Sequence, residues 1–363
     1  MLEACHPLLF DGLTAAFAET AVAASVDVSH ERGSNGMSAN RSVVLIPLAE
    51  VGLTSHKLGK FLSYIGMLPK IARTVYRGGF FYIFTPGHVS LLMCVCCFLL
   101  KRPYGLYLRG DWDISTPRAF HLIRSMLFRK ARFVLCTGTE LSRQIGVINP
   151  RCEAVIPMSA LLARDIPLRT SYAIGRSCRL LFVGQLLRDK GIYELVDALV
   201  LLAKSGFPNV ELGVVGTGAE LLRLQGHVQQ LGLAARTRFH GFISDLDQLA
   251  DLYSRHDLFC LPTYHEGFPR AIYEAMLFGL PIITTHVGQI DTVIQNNQNG
   301  LFVNVRSAED IASKIILALE DEALRRRLGR KARATVEPMV DKWREGSHGQ
   351  QVLRWMKATR VIT

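Results

Sequence analysis

Pro262-Thr263-Tyr264-His265-Glu266-Gly267-Phe268-Pro269-Arg270-Ala271-Ile272-Tyr273-Glu274-Ala275-Met276 follows the run Asp257-Leu258-Phe259-Cys260-Leu261. The run reads as a buried strand, the Gly and Pro residues as a turn, and Ile272, Met276 and Leu277 as the apolar face of a helix. In an open α/β sheet, ligands bind where the carboxyl end of a strand faces the start of a helix. This stretch puts two carboxylates there, Glu266 in the turn and Glu274 about two turns farther along the helical path. Both can face one polar ligand from different heights.

Outward from this stretch the same unit repeats. Residues 179–183 and 210–215 read as strands, each followed by a Gly-containing loop and a helix; residues 238–242 and 281–284 are further strands. Ser307 is placed to cap a helix over 307–320. Toward the amino terminus, strands at 43–47, 80–84, 104–108 and 132–136 alternate with helical stretches at 56–76, 90–100 and 117–129. Strands alternating with helices imply parallel βαβ units. Residues 13–24 have helix-forming composition, and 30–41 read as loop.

At 363 residues the chain favours two domains, and 49% hydrophobic with 20% charged residues is globular rather than disordered. A formal charge of +11 points to an anionic partner: nucleic acid, a phosphorylated small molecule or an acidic membrane face. The cysteines lie mostly in apolar runs, and Cys94-Val95-Cys96-Cys97 lacks zinc-ligand spacing, so no metal site and a reducing compartment are expected. No secretory signal is expected at the start. The apolar window 80–100 is long enough on paper to span a bilayer, but Pro86-Gly87-His88 divides it into a strand and a short helix. The basic and apolar residues interleaved over 56–73 and 118–130 suit either ordinary core helices with a solvated basic edge or helices lying on anionic lipid.

Loops 184–191, 216–220 and 266–269 each join a strand to a helix, and helix amino termini favour phosphate. Arg188 and Lys190 add cations that can neutralise a pyrophosphate. Gly216-Thr217-Gly218 is a weak nucleotide signal by itself. Glu274 has the chemistry to accept two hydrogen bonds from a ribose diol, and either Glu taken alone is more often a solvated helix residue. No nucleophile elbow, Walker loop or His-Glu-x-x-His occurs, so the implied chemistry is positioning and stabilisation of a leaving diphosphate.

In order, Leu181-Phe182-Val183-Gly184 through Lys190-Gly191, Val215 to Glu220, Phe239-His240-Gly241-Phe242, Glu266-Gly267-Phe268-Pro269 with Glu274-Ala275-Met276, Gly279-Leu280-Pro281 and Asn299 to Val303 resemble the donor-binding domain of the family 4 retaining glycosyltransferases. The resemblance implies an α/β GT-B fold, two Rossmann-like domains facing across a cleft. It divides the chain into an acceptor-side domain over 1–168, a donor domain over 169–340, and a helix over 341–363 returning to the first domain. By the same resemblance, Glu266 and the amides of Gly267 to Pro269 meet the donor sugar and phosphates, with Phe268 in that turn. Glu274 meets the ribose and Lys190 the diphosphate, while Gly184, Gln185, Gly216 and Gly218 line the nucleotide.

Two departures stand out. Gln185 replaces the Arg usual after the first loop's Gly, with Arg188 as the substitute cation, and residues 1–42 lack the family's opening strand and Gly-Gly loop. Arg109-Gly110-Asp111 falls where the family has an acceptor-side loop, which assigns Arg109 and Asp111 to the acceptor. The expected activity is metal- and cofactor-independent transfer from a UDP-linked sugar to a polysaccharide or lipid-linked glycan. The expected place is the cytoplasm, peripheral on the inner face of the plasma membrane, with no nucleic-acid partner. A non-hydrolysing nucleotide-sugar epimerase and an inactive scaffold binding membrane or nucleic acid are the alternatives.

Overall fold

The computed structural model describes residues 20–26, 43–50, 57–85, 88–108, 118–155, 161, 164–267, 269–345 and 348–360. Its contacts divide the chain into Met1–Met158 with Trp343–Thr363, and Ser159–Lys342.

The first described elements of the first unit are β1 (Thr20–Val26) and β2 (Val43–Glu50), a parallel pair in register from Thr20 opposite Val43. Of the stretch 13–24, expected to be helical, residues from Thr20 onward form a strand, and 13–19 lie outside the described residues. Alanine is a strong helix former, but intrinsic propensity is readily overridden by tertiary context, and pairing with β2 decides the outcome. Next come α1 (Lys57–Tyr76), β3 (Phe81–Thr85), α2 (His88–Leu99), β4 (Tyr104–Leu108), α3 (Arg118–Lys130), β5 (Val134–Thr137), α4 (Thr139–Gly146) and β6 (Cys152–Val155). The strands β3-β4-β5-β6 form one parallel sheet.

Side chains alternate across that sheet, so it has two cores. Leu106, Leu108, Val134 and Cys136 pack with Met67, Ile71, Val75, Cys94 and Cys97 on one face, the thiols acting as small hydrophobes. On the other face Tyr107, Phe133 and Leu135 pack with Val352 and Met356 of the terminal helix α11 (His348–Ala358). Trp355 stacks on Phe133 at 6.2 Å, and its Nε1 donates to Glu153 at 2.6 Å. The apolar window 80–100 is divided between β3 and α2, and among the described residues no helix is long and apolar enough to cross a membrane.

The second unit runs β7 (Cys178–Val183), α5 (Ile192–Lys204), β8 (Val210–Val215), α6 (Leu221–Gln230), β9 (Thr237–Gly241), α7 (Leu246–Arg255), β10 (Leu258–Leu261), α8 (Arg270–Leu277), β11 (Ile282–Thr285), β12 (Leu301–Val303), α9 (Ala308–Glu320) and α10 (Glu322–Glu345). Its sheet is parallel throughout, in the order β12-β11-β10-β7-β8-β9. The chain builds outward from β7 through β8 and β9, then returns to the other side of β7 with β10. Between β7 and β10 the winding reverses, and an open sheet binds ligands beyond the strand ends at such a point.

The described residues 164–168 are fastened to this unit. Leu161 is buried, and Arg333 donates from Nη2 to Ile166 O at 2.6 Å and from Nη1 to Pro167 O at 2.9 Å. Ser307 caps α9, its Oγ accepting from Asp310 N at 3.1 Å.

Candidate active site

The loops leaving β7 and β10 meet at the reversal point. Thr263 is fully buried, and its Oγ1 donates to His265 O at 2.8 Å; Tyr264 N donates to Asp189 O at 2.7 Å. These bonds lay the turn after β10 against the short 3-10 turn Arg188–Lys190. The result is an ion pair, Lys190 Nζ to Glu266 Oε2 at 2.7 Å, with side chains only 17% and 15% exposed. Lys190 Nζ also donates to His265 O at 3.3 Å.

Two glycines let neighbouring loops close on this pair. Gly216, at φ 134°, passes so near β7's loop that a Cβ would stand 1.9 Å from Gly184 O. Gly288, at φ 57°, brings the loop after β11 against the turn, where a Cβ would stand 1.8 Å from Glu266 O. The loops after β7 and β8 are also stitched by Leu186 N donating to Thr217 O at 2.9 Å and Glu220 N to Leu186 O at 3.1 Å.

Arg188 is exposed, with its guanidinium 4.2 Å over the Tyr193 ring, and the Tyr193 hydroxyl donates to Glu220 Oε2 at 2.8 Å. That stack holds a cation in the same loop as exposed Gln185. Glu274, half-buried on α8, accepts from the Tyr253 hydroxyl at 2.8 Å.

The structure thus gathers Gly184, Gln185, Arg188, Lys190, Gly216, Gly218, Glu266, Gly267 and Pro269 at the carboxyl ends of β7, β8 and β10, with Glu274 on the helix that follows. One expectation needs correction: Pro269, at the N-cap of α8, has no N–H, so it contributes a fixed turn and no amide donor. Phe268, Arg109 and Asp111 lie outside the described residues, as do 27–42, where the opening loop would fall.

Three neighbours were given no role from sequence. Gln289 donates from its N to Glu266 O at 3.4 Å, and its buried Oε1 has no partner among the described residues. Phe242 stands 71% exposed beside Gly241, whose O accepts from Gly216 N at 2.8 Å. Tyr253 is fully buried. The signals for the first two were a Gly turn and an aromatic at a strand's carboxyl end. Among the described residues, no group of three or more His, Cys, Asp or Glu is placed to hold a metal ion.

Residues 171–335 match the family described as Glycosyl transferases group 1. The chain is 32% identical over 269 residues to the capsular polysaccharide biosynthesis glycosyltransferase CapM of Staphylococcus aureus, covering 68% of this chain and 69% of that one. It is 31% identical over 265 residues to N-acetyl-alpha-D-glucosaminyl L-malate synthase of Bacillus anthracis, covering 69% and 68%. Among solved structures, Anabaena HepE in complex with UDP superposes with a TM-score of 0.69 at 17% identity, over 97% of this chain and 96% of that one. The chain has the GT-B fold and belongs to the Glycosyl transferases group 1 family.

Proposed function

We propose that this glycosyltransferase moves a sugar from a UDP-linked donor to a polysaccharide or lipid-linked glycan, with retention at the anomeric carbon and without a metal ion or other cofactor. The observation that carries the reading is the covered Lys190–Glu266 pair at the winding reversal of the sheet. A leaving diphosphate gains negative charge as the glycosidic bond breaks, and a fixed cation beside it lowers the barrier. Lys190 meets that diphosphate, with Arg188 as the second cation in place of the Arg absent at Gln185. Glu266, released from Lys190, and the amide of Gly267 face the donor sugar, with Phe268 and Pro269 shaping the turn. Gly184, Gln185, Gly216 and Gly218 line the nucleotide, and Glu274 holds the ribose. Arg109 and Asp111 serve the acceptor.

HepE was captured with UDP, and CapM is named for capsular polysaccharide biosynthesis; both favour this donor and acceptor class. On α3, Leu122, Ile123 and Met126 are exposed beside Arg129 and Lys130. That pattern suits an anionic membrane face, with the enzyme working from the cytoplasmic side of the plasma membrane and without nucleic acid. The test incubates the protein with radiolabelled UDP- and GDP-sugars and membrane extract. Label entering a glycan from a UDP-sugar is expected; absence of both transfer and donor hydrolysis across the panel overturns the reading. An epimerised sugar nucleotide formed without acceptor points to the other enzyme class.

A further inference from the structure

We propose that Tyr253 is a positioning residue for the nucleotide, its hydroxyl holding the Glu274 carboxylate in the orientation that receives the ribose diol. This rests on the ribose role proposed above for Glu274. Tyr253 is fully buried on α7, and its hydroxyl donates to Glu274 Oε2 at 2.8 Å. Nothing about the phenol is left loose. Its ring stacks on Phe278 at 5.2 Å with an interplanar angle of 18°, and tilts against Phe259 of β10 at 6.2 Å.

The backbone beneath it is fixed as well. Arg169 donates from Nη2 to Tyr253 O at 3.2 Å, Ser254 O at 3.1 Å and His256 O at 2.9 Å, and from Nε to Phe278 O at 3.3 Å. One guanidinium therefore ties the carboxyl end of α7, which carries the phenol, to the carboxyl end of α8, which carries the carboxylate. Cations are favoured at such helix ends.

A buried tyrosine hydroxyl needs an acceptor, and a backbone carbonyl would serve the core at lower desolvation cost than a carboxylate. Here the acceptor is a carboxylate on the helix that follows the Lys190–Glu266 turn. Burial first, and the negative Glu274 second, push the phenol well above its ordinary pKa, so it stays a proton donor across the physiological range. A carboxylate whose rotamer is set before the ligand arrives loses less freedom on binding.

The test compares UDP with 2′,3′-dideoxy-UDP by calorimetry on the native chain and on Tyr253→Phe, which keeps the ring. The native chain is expected to favour UDP about tenfold, the worth of a hydrogen bond to a charged group. Tyr253→Phe is expected to narrow that ratio to about two- or threefold, leaving the affinity for the dideoxy ligand unchanged. Phe278→Leu loosens the stack but keeps the hydroxyl, and is expected to lower the melting temperature while keeping the ratio. A native chain that does not distinguish the two ligands overturns the ribose role of Glu274, and the positioning role with it. A native chain that distinguishes them while Tyr253→Phe keeps the full ratio overturns Tyr253 alone. So does a Phe278→Leu ratio as narrow as that of Tyr253→Phe.

Discussion

Lys190 Nζ lies 2.7 Å from Glu266 Oε2 although the two residues stand 76 positions apart and come from loops on different strands. The cation proposed for the diphosphate and the carboxylate proposed for the sugar are thus paired with each other before any ligand arrives. A diphosphate must compete with Glu266 for Lys190, and winning that competition releases Glu266 toward the sugar.

Glu266→Gln separates the two roles. The amide keeps the size but loses the charge that holds Lys190, so UDP affinity is expected to stay equal or tighten. The turnover number should fall about a hundredfold, because the lost interaction serves the transferring sugar rather than the bound nucleotide. Steady-state kinetics with calorimetry on the same variant checks both.

Gly288→Ala should strike the same turn from the other side. The new Cβ would need to occupy space 1.8 Å from Glu266 O, at a φ of 57° that side chains adopt with strain. A cost of about 1–3 kcal/mol and a displaced Glu266 are expected, seen as a lower melting temperature and at least a tenfold loss of transfer. Gly226→Ala is the control: it lies in α6 with no atom within 4 Å of its Cβ, and should gain about 0.5–1 kcal/mol.

Arg169→Met leaves four carbonyls at the ends of α7 and α8 without their donor. Losing a half-buried donor shared by several acceptors is expected to cost about 1–3 kcal/mol in urea unfolding. Arg169→Lys should recover only part of it, since a single ammonium does not reproduce the guanidinium fork.

Cys152 is expected to alkylate first among the described cysteines. Its Sγ lies 3.4 Å from Cys136 Sγ and 3.6 Å from Ser142 Oγ, and hydrogen bonding to Cys136 draws its pKa below the usual thiol value. The Cys136 thiol is raised by that same bond, and burial raises Cys94, Cys96, Cys97, Cys178 and Cys260. Thiolate is the reactive form. Peptide mapping after brief iodoacetamide treatment reads the order.

The second unit was legible in sequence because its central strands are covered on both faces. β10 is buried at every position, so it appears as an unbroken apolar run, and Gly and Pro mark where it stops. β1 was not legible: four of the seven residues from Thr20 to Val26 are alanine or serine, and its partner β2 makes it a strand. β6 is four residues long and mostly half-buried, too short for a periodic signal.

Within the site, spacing put Lys190 and Glu266 at strand ends, but no pattern tells which loops touch. Tyr253 reads as a core aromatic of an amphipathic helix; that its hydroxyl reaches Glu274 depends on the tilt of two helices joined by Arg169. Gln289 was hidden for a similar reason, since its closeness to Glu266 depends on the backbone of Gly288.

Calorimetric titration of UDP into the native chain and into Lys190→Ala is the most direct measurement of the central claim. If the diphosphate seats on Lys190, the variant should bind UDP at least about tenfold more weakly, with an unchanged circular dichroism spectrum. Equal affinity in the two proteins would contradict the placement of the donor diphosphate at the Lys190–Glu266 pair.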